Sequence, residues 1–304
     1  MRILLTGVTG QVGGALRVPL SAIGIVLAPN RTMLDLSSPN GIGAALDAMA
    51  PDLIVNPAAY TAVDRAEDER ELAYCINATA PEMLARWASS HHVPIVHFST
   101  DYVFDGSGHR PWREDDPTAP LSFYGSSKLA GEKAVRQACG THLIVRTSWV
   151  FASRGRNFLQ TMVRLACLQT QLRVVDDQFG APTSARSIAQ SLVSLLEGGI
   201  GTMNQRFTRA GGLVHLTSSG DTSWHGFASA IVKGLSDRGI DLAAKQVVPI
   251  KSSQFPTRAK RPGNSRLDLS RLANVFGVTM PGWRDVLDRE LDELVKHERG
   301  PEEI

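Results

Sequence analysis

The chain has 304 residues, 43% hydrophobic and 20% charged, with a net charge of +2 at neutral pH. Those proportions describe a globular protein in water: no stretch approaches the ~18 uninterrupted apolar residues of a membrane span, and the weak net field argues against nucleic acid as a partner. At roughly 150 residues per domain, the length suggests one large or two interleaved domains.

In chain order, short apolar runs at 2–7, 24–29, 52–60, 93–99 and 142–147 read as strands, and 11–20, 40–49, 66–90 and 122–139 carry apolar residues at helical spacing. That alternation predicts an α/β fold with a doubly wound parallel sheet of Rossmann type. Beyond residue 150 the pattern weakens into helix at 157–168, strand at 172–176, helix at 184–198, strand at 212–218 and helix at 223–236. A loop at 255–268, with two prolines and four basic residues, suits the rim of a pocket, and a closing helix is expected at 282–296. The reading is of a dinucleotide-binding portion over 1–150, to which strands around 172–200 return, and a smaller, interleaved α/β portion over 151–304 that binds substrate. Glycines interrupt the N-terminal apolar run where a secretory signal needs its hydrophobic region, and Cys75, Cys139 and Cys167 lie in apolar segments without C-x-x-C spacing. Reduced core thiols in a cytoplasmic protein are expected.

The first strand runs into Gly7, Gly10 and Gly13, spaced G-x-x-G-x-x-G, and then into a helix. This pattern permits a tight turn, close approach of a diphosphate to backbone and its placement at the positive end of the helix. The second strand ends near Arg31, whose charge favours a 2′-phosphate and therefore NADPH over NADH, although Asp35 nearby is a candidate for the adenine or ribose and leaves NADH possible. Asn56, Pro57, Ala58 and Ala59, at the end of a buried strand, leave room for ribose and diphosphate.

Tyr124 and Lys128 stand four residues apart on a predicted helix, on one face, after a strand that ends in Ser99-Thr100-Asp101. A phenol is a poor acid at neutral pH, and a nearby cation is expected to lower its pKa. Thr100 is expected to orient a carbonyl oxygen, and the three together read as a proton-transfer couple for a ketone.

These residues, with TGVTGQVGGAL, NPAAYTAVDRAE, STDYVFDG, YGSSKLAGE, RTSWVF, VVDDQFGAPTSA and RPGNSRLD, resemble the dTDP-4-dehydrorhamnose reductase family of the extended short-chain dehydrogenases/reductases, from residue 1 to the helix at 283–287. The resemblance implies NADPH-dependent reduction of the 4-keto group of dTDP-4-dehydro-L-rhamnose, with Tyr124 as proton donor, Thr100 holding the oxygen and Lys128 binding the nicotinamide ribose. It also implies that Gly10, Gln11 and Val12 meet the diphosphate, Asp35 and Leu36 the adenine side, and Ala59, Tyr60 and Thr61 the cofactor further along. Thr100, Asp101 and Trp149 are implied on the substrate side, where Asn157 and Arg258 are candidates for the substrate diphosphate. Some members of this family pair through a divalent cation held in part by a Glu after the glycine turn. Here Ala15 stands in that segment, so no metal is expected and the chain is expected to be a monomer or a homodimer without a metal bridge. Two rivals remain: a nucleotide-sugar epimerase or dehydratase, of which the dehydratase needs a second carboxylate where Tyr102 follows Asp101, and a non-catalytic NADP-binding regulatory subunit, which has no need of Thr100, Tyr124 and Lys128 together.

Overall fold

The structure, a computed structural model, describes residues 1–298. Five strands open the chain: β1 (Arg2–Leu5), β2 (Ile25–Leu27), β3 (Leu53–Asn56), β4 (Ile95–Thr100) and β5 (His142–Thr147). With the strand Leu213–His215 they form one six-stranded sheet in the order Leu213–His215, β5, β4, β3, β1, β2. Every neighbouring pair is parallel. The connecting helices are α1 (Gln11–Ser21), α2 (Ile42–Met49), α3 (Arg70–Tyr74), α4 (Ala80–Ser90) and α5 (Phe123–Ala138).

Side chains alternate across a strand, so both faces of this sheet must be apolar to be covered. On one face Ile3, Leu5, Val55, Val96 and Leu143 pack with Leu16 and Leu20 of α1, Ile188, Leu192 and Leu195 of the helix Ala185–Leu196, and Met203 and Phe207 of the helix Gly199–Arg209. On the other, Leu4, Ile54, Ile95 and Ile144 pack with Ile42 and Leu46 of α2, Leu84 of α4 and Val135 of α5. The strand order reverses direction at β1, between β2 and β3, so the carboxyl ends of β1 and β3 bound a crevice of the kind that binds ligands in open α/β sheets.

A separate core joins Phe151, Leu159, Leu172, Val174, Phe227, Ile231, Leu235, Leu287 and Leu291, drawn from the second half of the chain. The strand expected at 172–176 belongs here. It forms as Gln171–Val175 and pairs in parallel with Gln246–Ile250, so no strand from 172–200 returns to the large sheet. The reason lies in its alternation: Leu172 and Val174 are buried while Gln171 and Arg173 are exposed, a pattern for a strand covered on one side only. What returns to the sheet is the helix Ala185–Leu196, followed by the strand Leu213–His215.

The helical stretch expected at 66–90 is divided, with a 3-10 turn at Arg65–Glu67 and a π turn at Cys75–Thr79 joining α3 to α4. Of the three cysteines, Cys139 is buried and Cys75 half-buried, whereas Cys167 is exposed. The expectation of a core thiol at Cys167 is thus corrected, because the helix Phe158–Leu168 turns Leu159, Met162, Val163 and Ala166 inward instead.

Candidate active site

The turn from β1 into α1 is built where side chains do not fit. Gly7 has φ +60°, and a Cβ there would lie 2.9 Å from the Ala58 Cα; a Cβ on Gly13 would overlap the Gly7 carbonyl oxygen. Gly10 occupies the N-cap position of α1 without any side-chain cap, and the first turn holds no acidic residue, so the amide end of the helix is left for an external anion. Beside it the Gln11 Oε1 is buried without a partner, and Val12 packs on the sheet core. This cradle fits a dinucleotide diphosphate.

Across the crevice, Ala58 and Ala59 are half-buried and Thr61 exposed. Tyr60 is fixed at both backbone groups: its N–H donates to Asn77 Oδ1 at 2.8 Å and its carbonyl accepts from Asn77 Nδ2 at 3.1 Å. Asn77 comes from the π turn, a distortion that often marks functional positions. Arg31 is exposed beyond β2. Asp35 Oδ1 accepts from both the N–H and the hydroxyl of Ser37, bonds that, with Arg31 nearby, hold its carboxyl below the usual range. The half-buried Leu36 packs at the core edge, and its carbonyl accepts from the Cys75 thiol.

α5 starts where Ser122 Oγ accepts the Gly125 N–H at 3.2 Å, which places Tyr124 in the first turn and Lys128 one turn on. The Tyr124 ring meets Tyr102 edge-on at 5.6 Å between centroids. Burial raises its pKa, opposed by a hydrogen bond with Thr100. The expectation that Lys128 lowers the phenol's pKa is therefore corrected. The Lys128 Nζ donates instead to the Phe98 carbonyl at 2.7 Å and lies 3.2 Å from His97 Nε2. Burial pulls its own pKa down to about 8. Thr100 Oγ1 donates to Asp101 Oδ1 at 3.0 Å and accepts the Tyr102 N–H at 3.2 Å.

Asp101 is 2% exposed with Oδ2 unpartnered. Burial raises its pKa to about 6, against hydrogen bonds from Ser265 and Thr100. The hydroxyls of Ser99, Thr147, Ser148, Thr217 and Ser218, at or just beyond the carboxyl ends of three adjacent strands, are buried and unpartnered too. Such orphaned groups gather where a polar ligand is to be met. Trp149 has a left-handed backbone, φ +49°, and stacks on Trp224 at 3.5 Å. Gly180 packs against its ring edge, where any Cβ would clash.

Two candidates are placed otherwise than expected. Asn157 caps the helix Phe158–Leu168, accepting from the Gln160 N–H at 3.1 Å while its amide donates to the Ala152 and Arg154 carbonyls, so its hydrogen-bonding capacity is spent locally. Arg258 is exposed and ion-paired with Asp68. Its neighbour Arg261 reaches the site instead, donating to the Tyr102 hydroxyl at 3.1 Å and to Asp64 at 2.6 Å. Sequence reasoning missed Tyr102, Trp224, Arg261 and Ser265, although three of these lie in the strand end and basic loop it had marked. Among the described residues there is no group of three or more potential metal ligands and no helix long and apolar enough to cross a membrane.

The family model described as RmlD substrate binding domain matches residues 1–296. The dTDP-4-dehydrorhamnose reductase of Escherichia coli (strain K12) is 42% identical over 298 residues, 97% of this chain and 98% of that protein. That of Burkholderia thailandensis is 45% identical, over 93% of this chain and 96% of its own length. Among solved structures, a dTDP-4-dehydrorhamnose reductase from Bacillus anthracis in complex with NADP superposes with a TM-score of 0.86 at 32% identity, covering 96% of this chain and 99% of that one. The chain belongs to the RmlD substrate binding domain family, among the dTDP-4-dehydrorhamnose reductases.

Proposed function

We propose that this protein reduces the 4-keto group of dTDP-4-dehydro-L-rhamnose to give dTDP-L-rhamnose, with NADPH as reductant. The observation that carries the reading is Tyr124, at the start of α5, hydrogen-bonded with Thr100 at the end of β4, with the buried Lys128 one helical turn on, at the carboxyl edge of the sheet that also holds the glycine cradle. Gly7, Gly10, Gln11 and Val12 would hold the diphosphate, Ala58 to Thr61 the chain of the cofactor beyond it, Arg31 the 2′-phosphate and Asp35 with Leu36 the adenosine side. When bound, the reduced nicotinamide supplies a hydride.

The chain's own groups handle the oxygen and its proton. Burial keeps the Tyr124 phenol protonated at neutral pH, the form that donates a proton to the alkoxide oxygen left by reduction. Thr100 supplies a hydroxyl to hold that oxygen, and Lys128 supplies a donor for the cofactor ribose together with a positive charge that favours developing negative charge nearby. Asp101 and Trp149 border the sugar, and the substrate diphosphate falls to the basic loop that carries Arg258. Residues 1–150 serve mainly the dinucleotide and those from 151 onward mainly the sugar nucleotide. Ala15 is packed against the sheet core and offers no oxygen ligand, so the protein is a monomer or a dimer formed without a metal at this helix.

Incubating the protein with dTDP-4-dehydrorhamnose and NADPH and following absorbance of the reduced nicotinamide tests the reaction. Oxidation dependent on the sugar is expected, and Tyr124→Phe is expected to lower kcat by about 10²- to 10⁴-fold. Folded protein that oxidises no NADPH would refute the activity, and an unimpaired Tyr124→Phe variant would refute the mechanism.

A further inference from the structure

Behind Lys128 a line of buried polar side chains crosses three strands. His97, in β4, lies 3.2 Å from Lys128 Nζ through Nε2 and 3.1 Å from the Asn56 amide through Nδ1. The other end of the Asn56 amide meets Thr6 Oγ1 at 2.6 Å, just beyond β1. The register sets Asn56 directly opposite His97. Asn56 and His97 are 0% exposed, and Thr6 and Lys128 2%. Polar groups inside a sheet covered on both faces cost stability unless they are fully paired.

We propose that His97 is a positioning residue for Lys128: its imidazole presents the Nε2 lone pair to the ammonium, aiming Lys128 and stabilising its cationic form. The inference rests on the function proposed above. An ammonium has three N–H groups. The Phe98 carbonyl takes one and His97 a second, which leaves a third for a ligand in the crevice. With Lys128 beside it and no contact with water, the ring is held neutral. Its proton then sits on Nδ1 and is donated to Asn56, whose carboxamide turns its oxygen to the ring and its NH₂ to Thr6. As the amide is placed, Thr6 Oγ1 donates to Asn56 Oδ1 and accepts the Ala58 N–H; because the two ends of a carboxamide have the same shape, the turned amide keeps both Asn56 neighbours, with Thr6 Oγ1 accepting from the NH₂ and its own proton released from Asn56. The groups bearing on the pair are few. From α5 come Lys128 itself and Glu132, whose charge favours the Lys128 cation and is bonded to Arg146 of β5; β3 contributes only the neutral Asn56.

The test is ¹⁵N NMR titration of the Lys128 amine in the full chain without substrate, alongside the pH profile of kcat. Losing an acceptor for the charged form lowers a lysine pKa, so His97→Leu is expected to shift the titration down by about one unit, and to move the alkaline limb of kcat with it. His97→Gln, whose amide oxygen reaches a similar position, is expected to restore both. In the unaltered protein the His97 ring is expected to be neutral with its proton on Nδ1 from pH 5 to 9, a readout that stands even if the Leu variant does not fold. An unmoved Lys128 titration in folded His97→Leu, or a proton found on Nε2 beside a charged Lys128, would overturn the inference. A shifted titration in a protein that reduces no keto sugar would instead leave His97's role intact and defeat the proposed function.

Discussion

Asp101 carries a carboxyl with a pKa of about 6 when folded, against 3.8 for the exposed side chain. A raised carboxyl pKa means that folding binds a proton between those two values, so the stabilisation by the neutral form is complete below about pH 3.8 and is lost as pH rises through about 6. The span amounts to about 3 kcal/mol. Asp101→Asn removes the titration, and urea unfolding is expected to find the variant gaining on the unaltered protein between pH 4 and pH 7; a constant difference across that window would mean the carboxyl is not desolvated. Arg31 makes a different kind of prediction, because it is exposed and its effect is confined to a ligand. Arg31→Ala should raise the KM for NADPH about tenfold, the worth of one charge-assisted contact, and leave that for NADH nearly unchanged. Equal effects on both cofactors would remove the assignment.

At the scale of the element, the site depends on where α5 begins. Ser122 is 5% exposed, and its hydroxyl accepts the Gly125 N–H. Ser122→Ala leaves that donor without a partner and is expected to cost about 1 kcal/mol in denaturant unfolding, with Ser122→Thr recovering most of it. Because Tyr124 lies two residues into the helix, kcat is expected to fall more than NADPH binding does. The helix Phe158–Leu168 shows the same chemistry with another outcome: Asn157 has the residue type for a ligand contact but the position of a cap, and the cap takes it.

Across the whole molecule the apolar residues gather into one layer on each face of the sheet and a further core drawn from the second half of the chain. Phe227 lies fully buried in the latter, 5.1 Å from Phe151 and 5.4 Å from Phe158, beneath the Trp149 and Trp224 stack. Phe227→Ala is expected to cost about 3–5 kcal/mol. Where enough folded protein remains, it should raise the KM for the nucleotide sugar well beyond any change in the Kd for NADPH. Comparable losses on both sides would argue against dividing binding between the halves of the chain.

Much of this was readable in the order of residues alone, and the reason is distance along the chain. The six-residue glycine spacing, the four-residue interval from Tyr124 to Lys128 and the apolar periods of α1 to α5 are local patterns, so each declared its turn, face or helix directly. Folding settled what depends on remote partners. Gln171–Val175 finds Gln246–Ile250 rather than the large sheet, Arg258 and Arg261 find Asp68 and Asp64, Trp149 finds Trp224, and Lys128 turns to Phe98 and His97 instead of to Tyr124. Burial was settled in the same way, and it sets the sign of the shifts at Tyr124, Asp101 and Lys128, because the free energy of a charge depends on what surrounds it in space.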